Sequence, residues 1–221
     1  MPGPPPWPSC ASVPSWACSP LRASTRDVRS APRGDTASVT GVQTLVVAAT
    51  VAEAAHVPSS MPLIITGLGK TAAAASTARA LAEHGDLTDL TVVNIGTAGA
   101  LREGLIGLHE PGVVLNHDLS ADLVRALGYD PEERLEVGPS ELVLATGDVF
   151  VTDPAVRDQL AQRAHLVDME GYAVAWASRS FGVPVRLVKH VSDAADETAM
   201  DWSSVVEASA VALGAWLQEN C

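Results

Sequence analysis

The sequence predicts an α/β fold, a single domain with a mixed, mainly parallel sheet flanked by helices. Two observations carry this. From about residue 43 onward, short apolar runs of buried-strand type alternate with helical stretches, the pattern of a parallel sheet with helices on both faces. The chain has 221 residues and 47% apolar content, enough for one sizeable core.

Residues 44–49 (TLVVAA) and 63–66 read as buried strands. The Ala-rich stretch 70–83 reads as a helix. Residues 90–95 (LTVVNI) form another strand, ended by Gly96, and 113–115 and 142–145 add two more. Asp153 opens a polar helix with Pro154 at its first position, a favoured helix start. Residues 169–181 form a helix stopped by Gly182 and Pro184; 185–191 is a strand and 203–218 a terminal helix.

Residues 1–40 differ in kind. They hold more than half of the prolines, many serines and four arginines: Arg22, Arg26, Arg29 and Arg33. Such a stretch cannot bury enough apolar surface to order itself, and it has no continuous apolar segment of secretory type. The expectation is a disordered or spurious tail ahead of one domain spanning 41–221.

Charge and cysteines exclude several functions. The net charge of −12 disfavours nucleic acid, which needs a basic face, and anchoring to an anionic membrane. No apolar run approaches the roughly 20 residues that span a bilayer. Cys10, Cys18 and Cys221 make neither a disulfide framework nor a zinc pattern. The expectation is a cytoplasmic protein with no nucleic-acid or membrane partner and no metal.

Five polar clusters follow predicted strands: Glu53; Gly96-Thr97-Ala98-Gly99; Gly147-Asp148-Val149-Phe150; Asp168-Met169-Glu170; and Ser192-Asp193. Each alone fits an ordinary helix cap. Together they fit a site beyond the strand ends, where such sheets bind ligands. Other signals are weaker. Gly67-Leu68-Gly69-Lys70-Thr71 looks like a phosphate loop, but the first Gly of a full P-loop would fall at position 64, which is Ile64. His117-Asp118 lacks a second ligand cluster. Trp202 and Trp216 read as packing residues.

The ordered series VNIGTAGA (93–100), GDVF (147–150), VDMEGYA (167–173) and VSDAAD (191–196) resembles the nucleoside phosphorylase and nucleosidase family. It is most like the methylthioadenosine/S-adenosylhomocysteine nucleosidases. The resemblance implies cleavage of a purine nucleoside's N-glycosidic bond by water, with no cofactor, in a homo-oligomer, commonly a dimer. It implies that Glu53 activates the water, Glu170 binds ribose hydroxyls and Asp193, helped by Ser192, faces purine N7. Thr97, Ala98 and Gly99 would line the ribose side, Phe150 would stack on the base and Val151 would read its edge. Met169 would pack beneath the ribose, with Asp168 on the same substrate-binding segment.

The chemistry of the bond asks for such a set. Positive charge develops on the ribosyl carbon and negative charge on the departing base. An acid with a raised pKa can protonate the base, a second carboxylate can activate water, and a third can hold the sugar. Phosphorylases of the family carry Arg where this chain has Asn94, which favours water over phosphate. Lys189, where the family often has Arg, could still meet an anion. The alternatives are a phosphorylase and a catalytically silent nucleoside-binding protein. The stretches from Glu53 to Gly67 and from Tyr129 to Gly147 are shorter than is usual in the family.

Overall fold

The computed structural model describes residues 42–221. The tail expected over residues 1–40 lies outside the described residues. The remainder forms a mixed α/β domain around one sheet of nine strands.

Strand β1 (Gln43–Ala48) pairs in parallel with β2 (Leu63–Ile65) and with the first half of β3 (Leu90–Ala100). Along its other edge, β3 pairs in parallel with β9 (Val185–Asp193) from Val92 to Gly99. The short β4 (Leu108–His109) closes against β9. At the far end of β3, Gly99 and Ala100 pair antiparallel with β8 (Leu166–Asp168). From β8 the sheet continues through β7 (Val143–Thr146) and β5 (Val113–Asn116) to the outer β6 (Arg134–Glu136). Five of the strand pairings are parallel and three antiparallel.

Period-two alternation sorts the strand residues between two faces. Leu45 and Val47 of β1, Val92 of β3 and Leu187 of β9 enter the core under helices α1 (Lys70–Glu83) and α4 (Gly171–Ser180). Val46, Ala48, Val93, Ile95 and Val188 face the opposite way, onto Leu213 and Leu217 of α5 (Trp202–Asn220). The helices therefore cover both faces. The small α2 (Ala121–Ala126) and α3 (Pro154–Leu160) join the outer strands. Asp153 caps α3 as expected, accepting the Ala155 amide at 2.8 Å. No helix among the described residues is long and apolar enough to cross a membrane.

Three predicted boundaries move, and each shifts site residues. Gly96 does not end β3, because Lys189 of β9 pairs with it and the ladder runs on to Gly99. Tertiary pairing overrides the weak strand preference of glycine. For the same reason Ser192 and Asp193 lie within β9 rather than after it. Helix α4 starts at Gly171, not at residue 169, because the Asp168 side chain takes the Gly171 amide at 2.8 Å.

Candidate active site

The site forms where the partners of β3 change over. On one edge, β1 stops at Asn94 and β8 begins at Gly99. Between them the Thr97 amide has no strand partner on that edge and donates instead to Glu53 Oε1 at 2.8 Å. The Thr97 hydroxyl donates to the same oxygen at 2.9 Å. Glu53 Oε2 accepts from the Thr50 amide at 3.2 Å and the Thr50 hydroxyl at 2.9 Å. The Glu53 amide in turn donates to Thr50 Oγ1 at 3.2 Å. Thr50 and Glu53 thus make a reciprocal capping box in the turn after β1. Glu53 is 5% exposed and accepts four hydrogen bonds, two on each oxygen.

Glu170 sits between β8 and α4. Its Oε1 accepts the Gly69 amide at 2.7 Å. Burial, then the neighbouring Asp168 charge, push the Glu170 carboxyl up to about 7. Asp168 accepts from the Thr146 hydroxyl at 2.6 Å and pairs with Lys189 Nζ at 2.8 Å. Asp193 is half-buried, and it accepts from the Ser192 hydroxyl at 2.6 Å and the Ala195 amide at 2.8 Å.

These carboxylates share a cavity of about 450 Å³. Glu53, Thr97, Ala98, Gly99, Phe150, Val151, Asp168, Met169, Glu170, Ser192 and Asp193 all line it. Leu68, Val149, Met200 and Trp202 complete an apolar wall. Among the described residues, no Lys or Arg lines it.

Lys189 departs from its expected place. It is not among the residues lining the cavity, and at 1% exposure it lies buried against Asp168 instead of meeting a substrate anion. Burial works against its charge, but Asp168, Glu170 and Glu53 outweigh that and hold its pKa above the usual lysine value. Asn94 is buried in the sheet and donates to the Val47 carbonyl at 3.1 Å.

Trp202 is more than a packing residue. Its indole N–H donates to Thr97 Oγ1 at 2.8 Å, behind the Thr97–Glu53 bond. A lone Trp at a helix start carries no sequence signal for this. Thr50 does carry one, in the Thr-x-x-Glu spacing of the capping box.

The loop that resembled a phosphate binder is spent internally. The Gly69 amide goes to Glu170 and the Lys70 amide to Asp148 Oδ1 at 2.7 Å. Lys70 Nζ donates to Asn116 Oδ1 at 2.7 Å and also to Asp118, which accepts the Asp148 amide at 2.8 Å. The N-terminus of α1, with its positive end, is thereby tied to the Gly147-Asp148-Val149-Phe150 loop. Gly69 adopts φ +88° to turn its amide toward Glu170, a conformation that favours glycine.

Residues 109–217 match the Phosphorylase superfamily. An aminodeoxyfutalosine nucleosidase of Helicobacter pylori strain 26695 is 33% identical over 94 residues, and its counterpart in strain J99 is 40% identical over 90. These matched stretches span 41% and 39% of the two relatives' lengths, and the same shares of this chain. The fold is shared with a Helicobacter pylori 5′-methylthioadenosine/S-adenosyl homocysteine nucleosidase at TM-score 0.70 and 24% identity, covering 81% of this chain and 98% of that one. It is shared likewise with a Helicobacter pylori futalosine hydrolase, at TM-score 0.68 and 23% identity over 80% and 96% of the two chains. Glu53 and Thr97 lie ahead of the residues that match the Phosphorylase superfamily and join the site through the fold. Residues 109–217, which carry Asp168, Met169, Glu170, Ser192 and Asp193, match the Phosphorylase superfamily and sit on a fold shared with these nucleosidase structures.

Proposed function

We propose that the chain is a purine nucleosidase that hydrolyses the N-glycosidic bond of an adenosine-type nucleoside. The observation that carries this is one cavity lined by Glu53, Glu170 and Asp193 and, among the described residues, by no Lys or Arg. Three carboxylates suit a reaction whose sugar becomes cationic. They do not suit a phosphate nucleophile, which calls for a guanidinium or ammonium partner.

Each carboxylate takes a separate task. Glu53, fixed in place by four donors, orients water toward the anomeric carbon. Glu170 accepts from the ribose hydroxyls. Asp193, with Ser192 on its outer oxygen, delivers a proton to purine N7 as the bond breaks. That removes the negative charge from the departing base. Phe150 and the apolar wall exclude bulk water and stack on the base. The names of the relatives support an adenosine-type substrate.

A homodimer belongs to the same proposal. Leu68, Val149, Phe150 and Met200 line the cavity yet are 47% to 71% exposed, an apolar rim that a second copy would cover. Incubation with nucleosides bearing methylthio, homocysteinyl, hydroxyl and larger 5′ groups, following free base, tests the function. No release from any of them would overturn it.

A further inference from the structure

Lys189 is a buried cation that the proposed reaction does not use. It is 1% exposed, and its ammonium lies 2.8 Å from Asp168 Oδ2. A Cβ at Gly96 would stand 3.1 Å from Glu53 Oε1 and 3.4 Å from Lys189 Nζ. The Glu53 carboxylate and that ammonium thus approach the same side of Gly96. Lys189 is ion-paired with Asp168 and lies within electrostatic reach of Glu170 and Glu53, which belong to the proposed machinery.

Asp168 transmits the contact to α4. Its Oδ2 also accepts the Gly171 amide at 2.8 Å, and its Oδ1 accepts the Thr146 hydroxyl at 2.6 Å. Thr146 Oγ1 accepts the Tyr172 amide at 2.9 Å. These two amides open α4 directly after Glu170. The place where the helix begins, and where Glu170 sits, is set by the carboxylate that Lys189 anchors.

We propose that Lys189 is a positioning residue: it anchors Asp168 to fix the first turn of α4, and its charge favours the anionic form of Glu170. This rests on the nucleosidase reading of the site. Around Glu170, β8 contributes Asp168, the turn after β1 contributes Glu53, and β9 contributes Lys189, with Asp193 farther along the same cavity. Helix α1 contributes the Gly69 amide, while its Lys70 is engaged by Asn116 and Asp118. Strands β3, β5 and β7 carry no charged side chain, and β6 carries only Arg134 and Glu136, both exposed. The Lys189 ammonium opposes the burial and the Asp168 charge that raise the Glu170 carboxyl to about 7.

The test is an infrared titration of the protonated carboxyl band, assigned to Glu170 by its loss in Glu170→Gln. The wild-type midpoint is expected near 7. Lys189→Gln keeps a donor for Asp168 but removes the charge, and should move the midpoint to alkaline by about one pH unit, a tenfold change in proton affinity. Lys189→Arg keeps the charge and should leave the midpoint in place. In turnover, Lys189→Gln should raise KM at and below neutral pH more than it lowers kcat, a split that a general loss of packing would not give. A folded Lys189→Gln protein with an unmoved midpoint overturns the proposal. If that variant does not fold, the neutral pair Lys189→Gln/Asp168→Asn, which leaves no lone buried charge, is compared with Asp168→Asn alone. The same alkaline displacement is expected, and its absence refutes the coupling. The titration needs no turnover, so an inactive wild-type protein would defeat the nucleosidase reading separately.

Discussion

Replacing Glu53 with Gln should cost both stability and turnover, because four donors converge on its two oxygens. Glu53 receives four hydrogen bonds, from the Thr50 amide (3.2 Å) and hydroxyl (2.9 Å) and from the Thr97 amide (2.8 Å) and hydroxyl (2.9 Å). Gln offers one oxygen and one NH₂ group. Whichever way it turns, the NH₂ meets a backbone N–H that cannot reverse its polarity. The hydroxyls give limited relief, since Thr50 Oγ1 already accepts the Glu53 amide and Thr97 Oγ1 already accepts Trp202 Nε1. Two charge-assisted bonds are lost or weakened, at about 1.5–3 kcal/mol each, with some recovery by hydroxyl rotation. A net loss of about 2–4 kcal/mol follows, or roughly 5–12 °C in Tm for a domain of this size. Turnover should fall by about 10²–10⁴ as water loses its general base. Thermal unfolding by circular dichroism and a base-release assay read the two effects. A Glu53→Gln protein that keeps wild-type Tm and turnover would refute both the electrostatic reading and the base role.

Asp193→Asn keeps the acceptor for the Ala195 amide but has no proton to give; kcat should fall by about 10²–10⁴ with KM less affected, and a near wild-type kcat would reject the acid role. Trp202→Phe removes the donor behind Thr97 and should lower kcat/KM by about 2–10-fold, the worth of one neutral hydrogen bond; unchanged kinetics would reduce Trp202 to a wall of the cavity. Glu170, whose carboxyl rises from 4.5 to about 7 on folding, keeps its proton in the folded state after the unfolded chain has lost it. Its contribution to stability is therefore most favourable below about pH 4.5 and falls by about 3 kcal/mol as pH rises to about 7. Urea unfolding at intervals across that window should show the slope, and Glu170→Gln should flatten it. Gly96→Ala would drive a methyl group to 3.1 Å from Glu53 Oε1 and 3.4 Å from Lys189 Nζ, an overpacking cost of about 1–3 kcal/mol that denaturant titration would register.

Much of the fold is legible in the sequence because its signals are local. The short apolar run of β1 and the Ala-rich run of α1 place those elements within a residue of their observed limits. The Asp153-Pro154 start of α3 is likewise visible as a cap followed by a proline. The end of β3 is not local. Its passage through Gly96 is decided by a partner strand almost a hundred residues later. The short β4 and β6 exist only through pairing with β9 and β5, and their own residues carry little strand pattern.

The site divides along the same line. Glu170 and Asp193 stand in motif positions next to strand ends, and Glu53 follows β1 in a Thr-x-x-Glu turn. What their carboxylates face is a matter of three-dimensional neighbours. The Gly69 amide reaches Glu170 across 101 residues, and Trp202 reaches Thr97 across 105. Lys189 is read from sequence as a substrate contact because it stands where the resembled family often has Arg, which could meet an anion. The structure gives that anion as Asp168, within the same chain.

The measurement that bears most directly on the central claim is the origin of the new oxygen on the released sugar. A methylthio- or homocysteinyl-adenosine substrate is incubated in oxygen-18 water, with and without phosphate, and the products are weighed by mass spectrometry. A cavity with three working carboxylates and no cation on its wall predicts free adenine, one heavy oxygen at the sugar's anomeric carbon, and a rate indifferent to phosphate. Release that requires phosphate and yields a sugar 1-phosphate without the label would contradict the account.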